Sequence, residues 1–260
     1  GMQKSAFATF IIVFCSMAQT GSARGFPDCA GSARIAQVSG VAPNGVLAFS
    51  DGQRAVLEGI RLPQGAADRA GSDAARQALS ALVALVKDRN IEWAATKPTE
   101  DRHGRLRAQI AVGGVWVQEA LLQQGLARVA LLPSHAQCVA QMYAAEEAAR
   151  AAKRGLWALP EYAVRLPDGL AQKDRGTFQI VEGKVVSAAV KSGRAYINFS
   201  ADWDRDFTVT ITPEDMKVFR TRDVNPRDYA GKMVRVRGII DWYHGPEIEL
   251  MGPASVEVLN

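Results

Sequence analysis

The sequence predicts a mainly β fold with α-helices: a first barrel carrying three helices, followed by a second, smaller β-barrel. Three observations point there. Short segments of alternating apolar residues open the chain after residue 34. Helical periodicity is confined to residues 72–155. Beyond residue 176 that periodicity nearly vanishes, and five or six strand-like segments follow, separated by turn residues.

The chain has 260 residues, enough for one or two domains at roughly 150 residues each. Apolar residues make up 48% and charged residues 22%, which excludes an intrinsically disordered chain. The net charge of +4 permits polyanion binding without requiring it. It is unevenly spread. Residues 29–160 hold 15 Lys/Arg against 11 Asp/Glu, whereas residues 161–260 hold 14 against 15. An electrostatic hold on a polyanion would therefore sit mainly on the first part.

Residues 1–23 read as a signal peptide. Lys4 gives a positive start, residues 6–14 are apolar but too short to span a bilayer, and Ala18 and Ala23 end small-residue cleavage sites. Export, to the periplasm or the medium, is expected, with no membrane span in the mature protein. Two cysteines then remain, Cys29 and Cys138, and export favours joining them as a disulfide.

The elements follow in order. Residues 35–41, 46–50 and 54–60 alternate as strands, and Asp51-Gly52 turns the last two into a hairpin. Ser72 or Asp73 can cap a helix whose Ala75, Leu79, Leu82, Val83 and Val86 share one face. Residues 91–95 return to strand. Residues 107–112 and 115–117 form a hairpin across Gly113-Gly114. A short helix over 118–124 stops at Gly125, and Ser134 opens an alanine-rich helix that ends at Gly155. Pro160, Pro167, Gly169 and Gly176 mark a linker over 161–176. Strands are expected over 178–190, 195–199, 207–211, 232–242, 247–250 and 255–258. This count suggests a small barrel of the oligonucleotide/oligosaccharide-binding (OB) type over 177–260.

The first domain, residues 28–160, carries a chain of motifs. Leu57-Glu58-Gly59-Ile60-Arg61-Leu62-Pro63-Gln64 comes first, then Asp101-Arg102-His103-Gly104-Arg105. Val117, Ala120, Leu121 and Gly125-Leu126-Ala127 follow, and the alanine-rich helix closes on Gly155-Leu156-Trp157. Together these motifs resemble the staphylococcal-nuclease-like (thermonuclease) family. The resemblance implies an OB-fold barrel with three helices and a calcium-dependent phosphodiesterase site. In that site two aspartates bind the metal, a glutamate acts as base, and two arginines hold the phosphate.

Aligned residue by residue, that site is degenerate here. The first family arginine falls on Val56, the metal-binding aspartate on Arg61 and the general-base glutamate on Gln64. The other metal-binding aspartate falls on Asn44 or Gly45. One family arginine remains, as Arg105. Two tyrosines that stack a base in the family prototype fall on Leu131 and Pro133. An arginine in place of a carboxylate ligand sets a cation against the metal. At about 4 Å and an effective dielectric of about 20, two unit charges already repel by roughly 4 kcal/mol. An amide cannot take a proton from water, and loss of a general base typically removes a factor of roughly 10²–10⁴. The resemblance thus implies a family member in which the calcium site is lost, with no cofactor and no catalytic residue assigned.

Glu58, Asp51, Asp101 and His103 could rebuild a site. Plainer readings make Glu58 a solvated strand position, Asp51 a turn former and His103 a loop residue. The three histidines His103, His135 and His244 are far apart, which gives no zinc spacing. Arg61, Arg102 and Arg105, with Arg107, remain as candidates to hold phosphate. In the second domain Tyr196, Phe199, Trp203, Phe207, Trp242, Tyr243 and His244 could form a binding face or a core. Asp202, Asp204 and Asp206 around Trp203 would repel a polyanion and suit a protein or glycan partner better. The reading is an exported, non-catalytic binding or scaffolding protein, with nucleic acid or another phosphate-bearing ligand at the first domain. Its rivals are a working metal-dependent nuclease with a relocated site and an envelope module that binds only proteins.

Overall fold

A computed structural model describes residues 25–131, 138–202 and 205–259. The expected signal segment, Pro133, Ser134, His135, Trp203 and Asp204 lie outside the described residues.

The first part is a closed five-stranded barrel. β1 (Arg34–Val41), β2 (Leu47–Phe49) and β3 (Arg54–Leu57) form an antiparallel meander. Its tight turn is the expected one: Asp51 Oδ1 accepts the Gln53 amide at 2.9 Å, and Gly52 takes φ 90°. The expected strand over 54–60 breaks in two. Glu58-Gly59 turns, with Gly59 at φ 84°, and β4 (Ile60–Arg61) leaves the barrel. α1 (Asp73–Val86) follows. Its buried face is Ala74, Ala78, Leu82 and Val86, one position round from the face read in the sequence; Ala75, Leu79 and Val83 are only half-buried. β5 (Asn90–Glu100) and β6 (Leu106–Val112) complete the barrel, β5 against β1 and β6 against β3 in parallel. β7 (Val115–Trp116) turns back across Gly113-Gly114 as expected.

Every residue of β6 is buried because both its faces are covered. Leu106, Ala108 and Ile110 fill the barrel with Val38, Leu47, Phe49, Ile91 and Trp93. On the other face Gln109 accepts the Trp116 indole N–H at 2.9 Å. α2 (Val117–Gln123) supplies Gln118, whose amide donates to Ala108 O at 2.9 Å and Glu58 O at 3.2 Å. It also accepts the Ile110 N–H. A buried amide with all its partners is tolerable; one without them costs about 1–3 kcal/mol.

β8 (Arg128–Val129) pairs with β4, and α3 (Val139–Ala151) packs on α2. The glycines of the two C-terminal motifs meet here. Leu156 N–H donates to Gly125 O at 2.9 Å. A Cβ on Gly125 would lie 2.1 Å from Arg154 O, and both Gly125 (φ 68°) and Gly155 (φ 53°) are left-handed. Backbone contacts backbone, so only glycine fits on either side. Gly125→Ala is expected to destabilise the fold by about 1–3 kcal/mol through strain that the backbone cannot relax. A urea midpoint shift at constant slope would register it; an unchanged midpoint would contradict this packing.

Residues 160–176 run as three short 3₁₀ turns, Pro160–Tyr162, Pro167–Gly169 and Gln172–Asp174. They are tied down: Arg165 holds Asp174 at 3.0 Å, and Tyr162 is buried. Beyond lie β9 (Phe178–Lys184), β10 (Ser187–Lys191), β11 (Arg194–Asn198) and β12 (Thr208–Ile211). α4 (Met216–Thr221) follows, then β13 (Met233–Tyr243), β14 (Gly245–Glu249) and β15 (Val256–Leu259). The expected strand over 178–190 is two strands, and α4 is a helix that the sequence reading lacked. It buries Met216 and Phe219 in the second core. The seven strands curl around Val181, Phe207, Val236 and Ile248 but do not close; β9 and β10 do not pair, so this is half a barrel. Phe199 and Phe207 pack inside it as core residues, their rings 5.0 Å apart and tilted by 43°. Tyr243 is exposed at the β13–β14 turn.

The two parts are joined by buried charge. Arg237 on β13 donates to both oxygens of Glu146 on α3, at 2.8 and 2.9 Å, to Val129 O at 3.0 Å and to Glu257 at 3.0 Å. Its guanidinium sits 4.7 Å over the Tyr143 ring. Cys29 and Cys138 form the expected disulfide, with Cα atoms 5.3 Å apart. Among the described residues no helix is long and apolar enough to cross a membrane.

Candidate functional site

A cleft of about 1270 Å³ opens between the barrel and the second sheet. The turn between β1 and β2, β3, the β4 segment and the start of β6 form its barrel side. The far ends of β13 and β14 form the other. Asn44, Val56, Arg61, Gln64 and Arg105 all line it, although they are spread over 62 positions of sequence. Arg102 does not line the cleft; its Nε–H donates to His103 Nε2 at 3.2 Å on the exposed loop.

The backbone explains the gathering. Gly45 (φ 84°) lets the β1–β2 turn lie on the β4 segment, where a Cβ would meet Leu62 Cδ1 at 2.7 Å. Asn44 is spent on that turn, its Oδ1 accepting the Val46 amide at 3.2 Å. Val56 and Arg107 are register partners on β3 and β6 and so face the same way. Glu58, two residues from Val56, shares that face. Glu58 is not a solvated strand residue, however. It is buried and accepts Arg107 Nε and Nη2 at 3.0 and 3.2 Å. Alternation alone marks Glu58 as outward, but on that face it is buried against Arg107. Arg107 is correspondingly engaged rather than offered to a ligand.

Arg61 and Gln64 are hydrogen-bonded to each other, Arg61 Nη2 donating to Gln64 Oε1 at 3.0 Å. The Gln64 backbone N–H donates to Asp68 Oδ2 at 2.6 Å. Asp68 is buried and also accepts the Tyr162 hydroxyl at 2.8 Å, with Arg61 at 3.7 Å and Arg128 at 3.8 Å. Arg128 donates to Phe178 O at 3.0 Å and lies between the Tyr162 and Phe178 rings, 4.9 and 5.0 Å from their centroids. Burial pushes the Arg128 pKa down to about 10; Asp68 opposes this, and the like charge of Arg61 adds to it. Burial raises the Tyr162 hydroxyl above its ordinary value, as does its bond to Asp68. Asp68, Arg128, Tyr162 and Phe178 have no motif signature in the sequence. They form one network because β8 and residues 160–178 pass over the β4 segment.

Arg105 is held by Asp101, Nε to Oδ2 at 2.6 Å. The other Asp101 oxygen accepts the Arg105 and His103 amides at 3.0 and 2.8 Å. Burial works to raise the Asp101 pKa. The hydrogen bonds from the Arg105 amide and guanidinium and from the His103 amide outweigh it and hold the pKa below the ordinary aspartate value. The Asp-x-x-Gly-Arg motif therefore builds its own turn: the aspartate caps the loop and orients the arginine towards the cleft.

The carboxylates reaching the barrel side of the cleft, Glu58 and Asp101, are each bound by an arginine. Among the described residues no group of three or more His, Cys, Asp or Glu converges as metal ligands would.

Residues 54–159 match the family model described as Staphylococcal nuclease homologue. No curated protein matches the chain.

Proposed function

We propose that this chain, whose residues 54–159 form a staphylococcal nuclease homologue domain, is an exported binding protein. In this reading it no longer hydrolyses phosphodiesters and holds a phosphate-bearing ligand, nucleic acid included, in the inter-sheet cleft. The observation that carries the reading is the 3.0 Å bond between Arg61 and Gln64. The two positions that the family resemblance assigns to a metal ligand and a general base here satisfy one another. Their chemistry does not fit calcium. A hard dication requires several converging oxygens. The available carboxylates are neutralised by Arg105 and Arg107, and Arg61 brings a fixed positive charge. Gln64 has no proton-accepting capacity for an attacking water.

What suits a metal poorly suits phosphate well. Arg61 and Arg105 present guanidinium groups in one cleft, and such forks match phosphate oxygens. Export is supported by the Cys29–Cys138 disulfide and by the leader-like composition of residues 1–23. One observation favours a scaffolding role instead: each cleft arginine already has a partner within the chain.

A mobility-shift assay with single-stranded DNA and RNA separates these readings. Phosphate capture predicts a shift that needs no metal and weakens steeply with salt, leaving the probe intact. No shift at low salt would leave scaffolding, and a shortened probe would revive hydrolysis.

A further inference from the structure

The second sheet gives the cleft a chemical character that the first domain lacks. Along β13, Val234, Val236 and Ile240 point into the second core. By alternation Arg235, Arg237 and Ile239 share the opposite face. Arg235 and Arg237 meet carboxylates there, among them Glu182, Glu146 and Glu257. Ile239 meets none. It lines the cleft 48% exposed, as does Met251, 42% exposed. Leu62, Leu79 and Leu131 line the same space from the barrel side. What sets Ile239 and Met251 apart is their place: they lie in a concave site whose other apolar lining faces them, the setting in which ligand pockets are built.

The apolar lining is aliphatic. Among the described residues the single aromatic side chain in the cleft is Phe178. Its ring is already covered, with the Arg61 guanidinium 5.5 Å and that of Arg128 5.0 Å from its centroid. No ring face is open for a base to stack on, and stacking is the main non-electrostatic contribution to single-strand binding. At about 1270 Å³ the cleft also far exceeds the space that one phosphate needs. The carboxylates at its second-sheet end, Asp241 and Glu249, lie near Arg175 and Arg194 at 3.6 and 3.8 Å. The charge left over at the barrel side is that of guanidinium.

We infer that the cleft takes an anionic amphiphile: a single aliphatic chain lying on Ile239 and Met251, with its phosphate directed to Arg61 and Arg105. This rests on the phosphate-binding reading above and narrows it. A bare phosphate would leave the aliphatic floor wet. A nucleotide would offer a ring to a site with no free ring to receive it. An alkyl phosphate matches both ends.

The test is calorimetric titration of the full chain with octyl phosphate below its aggregation concentration, with inorganic phosphate and with thymidine 5′-monophosphate. Octyl phosphate is expected to bind about tenfold or more tighter than the other two, as burial of about two methylenes already requires. Ile239→Ser combined with Met251→Ser should remove that advantage and leave inorganic phosphate binding unchanged. Both residues are partly exposed, so the fold should survive the change. Thymidine monophosphate binding as tightly as octyl phosphate, or a serine variant that keeps the preference, would overturn the assignment. If inorganic phosphate binds and the tail adds nothing, the amphiphile assignment alone falls. If neither phosphate binds, the phosphate reading falls with it.

Discussion

Glu146→Ala is expected to lower the folding stability by about 3–5 kcal/mol, because it strands a buried guanidinium. Arg237 is only 2% exposed, and two of its hydrogen bonds end on Glu146. Glu146 also accepts the Val129 amide at 2.7 Å and Arg150 at 3.0 Å, so its loss opens β8 as well as the inter-sheet joint. Replacing both partners, Glu146→Leu with Arg237→Met, should cost far less than the sum of the single changes, since no charge is then left unpaired. Denaturant midpoints of the two single variants and the double variant measure this. Additive losses would mean that the pair does not act as a unit.

The same pair sets an acid limit. Burial would raise the Glu146 pKa, but the charge and hydrogen bonds of Arg237, the Val129 amide and Arg150 hold it below the ordinary glutamate value. A folded-state pKa below the unfolded one means that the stabilisation is complete above the unfolded value, near 4.5. It is lost as pH falls from there through the folded pKa. Unfolding monitored against pH should therefore show wild type losing stability below that point, and Glu146→Gln losing less over the same window.

The second large effect is the disulfide. Cys29 and Cys138 close a loop with a separation of 109 residues. On the chain-entropy account a loop near that length restricts the unfolded state by about 4–5 kcal/mol. Cys29→Ser with Cys138→Ser, or reduction of the wild type, should lower the unfolding free energy by a comparable amount. An unchanged midpoint on reduction would show that the cross-link itself does not stabilise the fold.

How much of this was legible in the sequence depended on how local the cause was. The Asp101–Arg105 turn and the Asp51-Gly52 hairpin are short-range devices, and their residues announce them. The paired glycines of Gly125-Leu126-Ala127 and Gly155-Leu156-Trp157 were legible as motifs; the reason, backbone packed on backbone, appears only in space. Glu58 does not follow the solvated reading because alternation tells which side of a strand a residue takes, not whether an ion pair buries it there. The network of Asp68, Arg128, Tyr162 and Phe178 joins residues up to 110 apart and left no pattern of its own. Closure of the second sheet depends on a pairing of β9 with β10 that local strand propensity cannot report; the sheet stays open.

Arg61 and Gln64 are hydrogen-bonded to each other, and the proposed loss of hydrolysis rests on their holding the positions that the family resemblance assigns to a metal ligand and a general base. Digestion of single-stranded DNA and RNA by the full chain, with calcium and with chelator, decides whether that loss is real. The expected result is no calcium-dependent loss of substrate, by wild type or by Gln64→Glu, since Arg61 would still oppose the metal. Cleavage by the wild type that appears with calcium and vanishes with chelator would show a working metal site instead.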